Sequence, residues 1–362
     1  MALETTKGNL IIRDCGIVRS ANIINKLQLT LSGGEVPLLS GESCILASIN
    51  LHEIYNKKSK TIDYELLKDI TKSSVRFLEN VTEIGEAPLD YINKMTKGLR
   101  RISIGILGLA DLFVELNVPY DSQEAIELSR YLSWFISFHA WEMSFELAKE
   151  RGSFKFYDKE KCNFEVIDKV LYNSPFEKSK IPLEELRNIG VRNVATTGLP
   201  PTGSIAIIGG VNSSLEPFYA LCYKRNITEG VGNIALDSIF ETNPALDRKL
   251  KEFGYDEPQR KDILEYAVSN GTLTGCDLVS KEFQNIFKTA NEIPWKQHID
   301  VQAAWQEFVS NAISKTVNLP ENATVQDIFD LYLYAHKMGI KGTTIYRENS
   351  KSFQILERPN AK

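Results

Sequence analysis

The run Ser314-Lys315-Thr316-Val317-Asn318-Leu319-Pro320, read together with the residues up to Tyr346, decides the fold class. It is short, rich in β-branched residues and closed by a proline, the pattern of a brief extended segment. Thr324-x-x-Asp327 then supplies a helix N-cap, and the helix it opens is expected to end near Gly339. Thr343, Thr344, Ile345 and Tyr346 make a second β-rich run. Strand, helix and strand in this order predict a right-handed parallel crossover. Immediately upstream, Val301, Ala304, Trp305, Phe308, Ala312 and Ile313 recur as a helical stripe. The chain therefore reads as α/β with a parallel sheet or barrel.

Working toward the N-terminus, Asp121-Ser-Gln-Glu124 resembles a capping box. Apolar residues recur from Leu128 to Leu147, with Gly152 as a stop, which predicts a long amphipathic helix. His139 lies on its apolar face and reads as a satisfied core histidine, because no further metal ligand stands at ligand spacing. Val191–Thr197 reads as a strand. The segment 177–187, with Pro182, reads as a surface loop or a short helix, and 285–298 is similar, broken by Pro294.

Composition narrows the function. Forty-two Lys and Arg against 47 Asp and Glu give a net charge of −5, without the clustered basic face that a nucleic-acid partner requires. Hydrophobic residues at 43% and charged ones at 25% exclude wholesale disorder. The most apolar stretch, Ile102 to Leu116, is interrupted by Asp111 and is shorter than the roughly 18 residues a membrane span needs. The N-terminus has no signal-peptide pattern. Cys15, Cys44, Cys162, Cys222 and Cys276 are scattered with no CxxC, so neither a disulfide framework nor a metal site is expected. The chain is expected to be a soluble, cytoplasmic protein.

Four places carry candidate chemistry. Leu199-Pro-Pro-Thr-Gly-Ser204 follows the expected strand, and its glycine and hydroxyls suit an anion site if a helix starts near Ser204. An ordinary turn into a buried strand, Ile205–Ile208, is the competing reading. Gly33-Gly-Glu-Val-Pro37 could place Glu35 in a cleft as a general base, or be a solvated loop. Cys44 reads as a small buried hydrophobe. Arg192 and Asn193 beside the Pro-Thr-Gly loop, and Tyr346-Arg347 at the end of the last strand, stand where parallel-sheet sites gather.

Taken together, these segments resemble the large catalytic subunit of ribonucleotide reductase, most nearly its adenosylcobalamin-dependent class. The resemblance is carried by Gly34-Glu-Val-Pro-Leu-Leu-Ser-Gly-Glu-Ser-Cys-Ile-Leu-Ala-Ser-Ile-Asn-Leu51, Arg100-Arg-Ile-Ser-Ile-Gly-Ile-Leu-Gly-Leu-Ala-Asp111 and Leu147-Ala-Lys-Glu-Arg-Gly152. Pro201-Thr-Gly-Ser204 with Ser213-Ser-Leu-Glu-Pro217, Gln302-Ala-Ala304, Ser314–Pro320 and Lys341-Gly-Thr-Thr-Ile-Tyr-Arg347 complete it. The matches are in order from about Asp14 to Arg347.

The resemblance implies a ten-stranded α/β barrel made of two five-stranded parallel halves, with a finger loop between them. This chain corresponds to the finger, at about 30–37, plus the second half, over 1–350, with a tail at 351–362. The first half, bearing the effector site, much of the cobalamin surface and the first redox cysteine, would be a separate partner; failing that, the open half-barrel would self-associate. The implied activity is reduction of a ribonucleoside di- or triphosphate to the deoxyribonucleotide, supplying DNA synthesis, with adenosylcobalamin as cofactor. By the same resemblance, Glu35 stands at the proton acceptor, Cys44 at the second redox cysteine and Tyr346 at a tyrosine beside the site. Pro201, Thr202, Gly203 and Ser204 stand at the substrate-phosphate loop, which favours the helix reading after it.

Two positions depart from the family pattern. The finger of the family reads Asn-x-Cys-x-Glu, whereas this chain reads Leu31-Ser-Gly33-Gly-Glu35. Leu31 replaces the asparagine that orients substrate hydroxyls, and Gly33 replaces the cysteine that carries the radical. The chain alone is therefore expected to be inactive. The alternatives are a nucleotide-binding regulatory pseudo-subunit and an inactive remnant.

Overall fold

The computed structural model describes residues 27–30, 33–228, 235–350 and 356–357. Its frame is a succession of five parallel extended segments among those residues. Ile45–Asn50 pairs with Ile102–Leu107, Ile45 opposite Ile102 and Asn50 opposite Leu107. Ile104 makes a single parallel bridge to Thr197, and Leu199 another to Ile313. The chain continues from Ile313 into Thr316–Leu319, which lies parallel to Thr344–Arg347. Helices make every crossover, including Tyr64–Ile84, Gln123–Arg151, Trp295–Gln306 and Val325–Lys337. The strand–helix–strand unit expected at the C-terminal end is present, its helix capped at Thr324 with Asp327 returning the bond.

Every residue of Ile102–Leu107 is buried, which suits a parallel strand covered on both faces. Gly105 is needed there, since a Cβ would lie 2.5 Å from Pro200 Cδ and 2.8 Å from the Gly198 carbonyl oxygen. The long helix Gln123–Arg151 packs against Tyr64–Ile84 and Trp295–Gln306. His139 on that helix is buried and satisfied, its Nδ1 3.2 Å from Glu142 Oε2 and its ring against Phe135 and Phe138.

Three local expectations need correction. The helix at 123 is capped by Ser122, whose Oγ accepts from the Ala125 amide, while Asp121 takes the Lys288 ammonium at 2.7 Å. The stripe beginning at Val301 leaves the helix at Gln306; Phe308, Ala312 and Ile313 are buried, but in the irregular segment beyond it. Val191–Thr197 occupies the place of the central strand without a regular ladder. The Ile102 and Ile104 amides donate to the Ala195 and Thr196 carbonyls on one side, but the Thr196 and Thr197 amides both donate to Ser310 Oγ at 3.0 Å.

The finger is a β-hairpin. Leu27–Thr30 pairs antiparallel with Pro37–Leu39, Thr30 opposite Pro37, and the connection carries Gly33, Gly34 and Glu35. The segment 177–187 does contain the start of a short helix, Leu183–Ile189, and Pro294 caps the helix Trp295–Gln306. Beside the parallel frame, Cys222–Thr228, Ala235–Thr242 and Leu356–Glu357 form an antiparallel sheet, the last being the described part of the tail. Leu31 and Cys15 lie outside the described residues. Among the described residues no helix is long and apolar enough to cross a membrane.

Candidate active site

The fingertip rests on the loop 310–316. The Ala312 amide donates to the Glu35 carbonyl oxygen at 2.8 Å, and the Ser314 amide donates to the Leu199 carbonyl oxygen at 2.9 Å. The hairpin therefore meets the strand ends through backbone bonds that do not depend on side-chain identity. Glu35 is 2% exposed, and its Oε2 is buried without a hydrogen-bond partner. A buried carboxylate oxygen without a partner in the protein is costly. Gly33 sits beside it: a Cβ built on Gly33 would lie 2.8 Å from Glu35 Oε2 and 2.7 Å from Ser314 Cβ, and closer still to Ser314 Oγ.

Cys44 opens the strand after the finger. Burial pushes its thiol up to about 12; the nearby Arg101 guanidinium opposes the shift, while the Glu42 and Glu35 carboxylates add to it. The thiol is thereby held protonated in the field of the same Glu35 that lines the fingertip. Arg101 is fixed by Glu42 Oε1 at 2.6 Å and by Asn311 Oδ1 at 2.9 Å, and Glu42 in turn accepts from the Leu39 amide at 2.9 Å. This buried pair ties the hairpin, the strand 102–107 and the loop 310–316 into one block.

The loop Pro201–Ser204 opens a helix, Gly203–Gly209, not a strand. Thr202 has φ 56°, a left-handed conformation that costs a threonine about 1 to 3 kcal/mol. A bond offsets it: the Ser214 amide donates to Thr202 Oγ1 at 2.7 Å. Nothing stands within 4 Å of the position a Gly203 Cβ would take, so the backbone there is open to an incoming group. Pro201 and Ser204 are exposed.

Beneath the loop lies a cluster that the sequence motifs do not single out. Lys315 is fully buried and donates to Glu216 Oε2 at 2.5 Å, the Thr316 carbonyl at 2.5 Å and His298 Nδ1 at 3.0 Å. His298 Nε2 lies 2.9 Å from the Ala290 carbonyl, which assigns the ring proton to Nε2 and leaves Nδ1 as acceptor. Burial, and then the Lys315 charge, pushes His298 well below the usual imidazole range. Glu216 accepts from the Thr316 amide at 2.7 Å, and its carbonyl accepts from Asn212 Nδ2 at 2.6 Å. The turn 212–216 that fixes Thr202 is thus anchored to Lys315. Glu216 and Lys315 stand inside quoted motifs, but 99 residues separate them and no spacing rule joins them.

Of the sequence-derived candidates, Gly33, Glu35 and Cys44 come together, with Arg101, Glu42, Asn311 and Ser314 as unanticipated neighbours. Tyr346 is half-buried at the end of the last strand, opposite Asn318. Arg192 and Asn193 do not face the loop Pro201–Ser204. They clamp the buried Glu79, with Arg192 Nε at 2.7 Å and Asn193 Nδ2 at 3.0 Å, which is a structural role. Among the described residues no His, Cys, Asp and Glu cluster is arranged to hold a metal.

A family model described as ribonucleotide reductase, barrel domain, matches residues 19–346. A vitamin B12-dependent ribonucleoside-diphosphate reductase of Thermoplasma acidophilum is 34% identical over 340 residues, covering 94% of this chain and 40% of the relative. A protein of the same name from Mycobacterium tuberculosis is 34% identical over 331 residues, covering 91% of this chain and 43% of the relative. Among solved structures, the class Id ribonucleotide reductase alpha subunit of Actinobacillus ureae superposes with a TM-score of 0.64 at 22% identity, over 89% of this chain and 54% of that one. That is a likeness of fold. The chain spans about two fifths of the length of these curated relatives.

Proposed function

The chain belongs to the ribonucleotide reductase barrel-domain family, and from that premise we propose that it is the finger-bearing half of such a barrel, which holds a ribonucleotide by its phosphates but does not reduce it alone. The observation that carries the reading is the fingertip: a buried, unpartnered Glu35 oxygen beside a position 33 that has no sulfur. Glu35 is the proposed proton acceptor for a ribose hydroxyl. Cys44 is the proposed redox cysteine, its partner thiol supplied by a first barrel half, and Tyr346 the proposed tyrosine flanking the site. Pro201, Thr202, Gly203 and Ser204 are the proposed phosphate cradle, with the free first-turn amides after Thr202 as donors. Leu31, an apolar residue, has no side-chain donor or acceptor with which to orient the substrate.

A ribonucleoside diphosphate is the proposed ligand, in keeping with the names of the relatives. A partner is proposed because Ile45–Asn50 and Thr344–Arg347 are the two outermost parallel segments, and because Leu46, Ile207 and Ile208 are exposed at 38%, 52% and 86%. The partner is a first-half chain or, in its absence, a second copy. A cytoplasmic setting goes with this reading.

Adenosylcobalamin is the cofactor proposed for the assembled reductase, again from the names of relatives; it supplies the initiating radical when bound. The described residues do not fit the receiving end of that chemistry, because the fingertip offers no sulfur. The same lack favours, as second reading, a regulatory nucleotide-binding subunit or an inactive remnant. Calorimetric titration with a ribonucleoside diphosphate and with its nucleoside tests the proposal. Binding at least about tenfold tighter for the diphosphate supports it, and equal affinities remove the phosphate site.

A further inference from the structure

We infer that Asp111 is a positioning residue for the loop Pro201–Ser204: its carboxylate holds the Asn212 amide and, through the turn 212–216, keeps Thr202 in the conformation that opens the loop. The bearing of this on phosphate rests on the reading proposed above, whereas the hold on Thr202 does not. Asp111 stands in the most apolar stretch of the chain and is 3% exposed. It is the third residue of the helix Leu109–Leu116, where an acidic side chain ordinarily serves the free amides of its own first turn. Here its Oδ2 accepts from the Asn212 amide, 101 residues further on, at 2.7 Å. Burial pushes the Asp111 carboxyl above the usual carboxylate range, and the bond from the Asn212 amide opposes the shift. What the place calls for is therefore an oxygen acceptor, not a charge.

The segment 202–214 closes on itself. Thr202 opens the helix Gly203–Gly209, and past its end the Gly210 amide returns to the Ile207 carbonyl at 3.2 Å and the Val211 amide to the Ala206 carbonyl at 3.1 Å. The chain then turns back, and the Ser214 amide donates to Thr202 Oγ1 at 2.7 Å. Both residues of that closing bond are left-handed and neither is glycine: Thr202 has φ 56° and Ser214 φ 45°, and both are buried. A strained pair of this kind persists where its surroundings hold it. Three bonds from the start of the helix Leu109–Leu116 do so. The Gly108 amide donates to the Asn212 carbonyl at 2.8 Å, the Leu109 amide to the Ser214 carbonyl at 3.4 Å, and Asp111 Oδ2 takes the Asn212 amide. Two of the three are backbone bonds, so the Asp111 carboxylate is the one that a side-chain substitution removes. Lys315 holds the far end of the turn, at Glu216.

The test compares Asp111→Ala, which removes the acceptor, with Asp111→Asn, which keeps one, in the 362-residue chain. Amide hydrogen exchange, read without ligand, should show the Asn212 and Ser214 amides exchanging about tenfold faster in Asp111→Ala and at the wild-type rate in Asp111→Asn. Calorimetry should show the affinity for a ribonucleoside diphosphate falling about tenfold in Asp111→Ala, with the affinity for the nucleoside unchanged and Asp111→Asn titrating like the wild type. A general loosening of the fold would weaken both ligands alike, so the split between them separates positioning from mere support. If Asp111→Ala does not fold, Asn212→Pro removes the same bond from its donor side, at a residue without positive φ, and is read at Ser214 and by the same titrations. Unchanged exchange at Ser214, or an Asp111→Asn chain that exchanges as fast as Asp111→Ala, overturns the inference. So does faster exchange at Ser214 with diphosphate affinity still at the wild-type value. A wild type that binds diphosphate and nucleoside equally removes the phosphate reading instead, and exchange at Ser214 then decides for or against the hold on Thr202.

Discussion

The fingertip and the phosphate loop are built from the same material and differ in what a single residue can remove. At Pro201–Ser204 the proposed recognition is a matter of backbone: a left-handed Thr202, an open Gly203 and the amides beyond it. Its support, from Ser214 through Glu216 to Lys315 and His298, is intact. At the fingertip the backbone support is equally intact, with Ala312 on Glu35 and Arg101 joining Glu42 to Asn311. There the proposed chemistry depends on one side chain, and residue 33 has none.

The largest effect expected from this contrast is in turnover. With adenosylcobalamin and a dithiol reductant, the chain alone should form no deoxynucleotide above a boiled control, since losing one member of a catalytic unit costs several orders of magnitude. Product above that control would break the contrast on the fingertip side.

The next effect concerns Cys44. A thiol raised to about 12 from its usual 9.0 carries roughly a thousandfold less thiolate at pH 8. Iodoacetamide at that pH should therefore modify Cys44 far more slowly in the folded chain than in urea, as followed by peptide mass spectrometry. Equal rates would mean that the block around Arg101 and Glu35 is open.

Smaller is the effect of Lys315→Met. It leaves Glu216 without its cation, though partly solvated, and should cost about 3 kcal/mol in denaturant unfolding. A loss under about 0.5 kcal/mol would separate the turn 212–216 from its proposed anchor. The effect expected to be smallest in free energy is association. Exposed Ile207 and Ile208 and the two outer strands predict species larger than a monomer in light scattering at micromolar concentration. A monodisperse monomer that binds no hydrophobic dye would contradict the open-edge reading.

The legible and illegible parts of the sequence divide along similar lines. Ser314–Tyr346 reads correctly because its signals are local: β-branched runs, a Thr324 cap with Asp327 and a glycine stop. The central strand place at 191–199 does not, because two of its amides, those of Thr196 and Thr197, are claimed by Ser310, more than a hundred residues away. The motifs brought Gly33, Glu35, Cys44 and the loop 201–204 into view. They did not reveal Ser314 against Gly33, or His298 under Lys315, since a contact that forms only when distant loops meet leaves no periodicity behind. Arg192 and Asn193 drew attention by adjacency in sequence, and folding turned them toward Glu79.

The central claim is that phosphate recognition persists where radical chemistry has gone, and Gly203→Val tests it most directly. No atom stands within 4 Å of the Cβ position at residue 203, so the substitution should leave the fold and its melting temperature unchanged while closing the backbone approach. Calorimetry with a ribonucleoside diphosphate should show binding to the wild type and none to Gly203→Val. Equal titration of the two folded proteins would contradict the account.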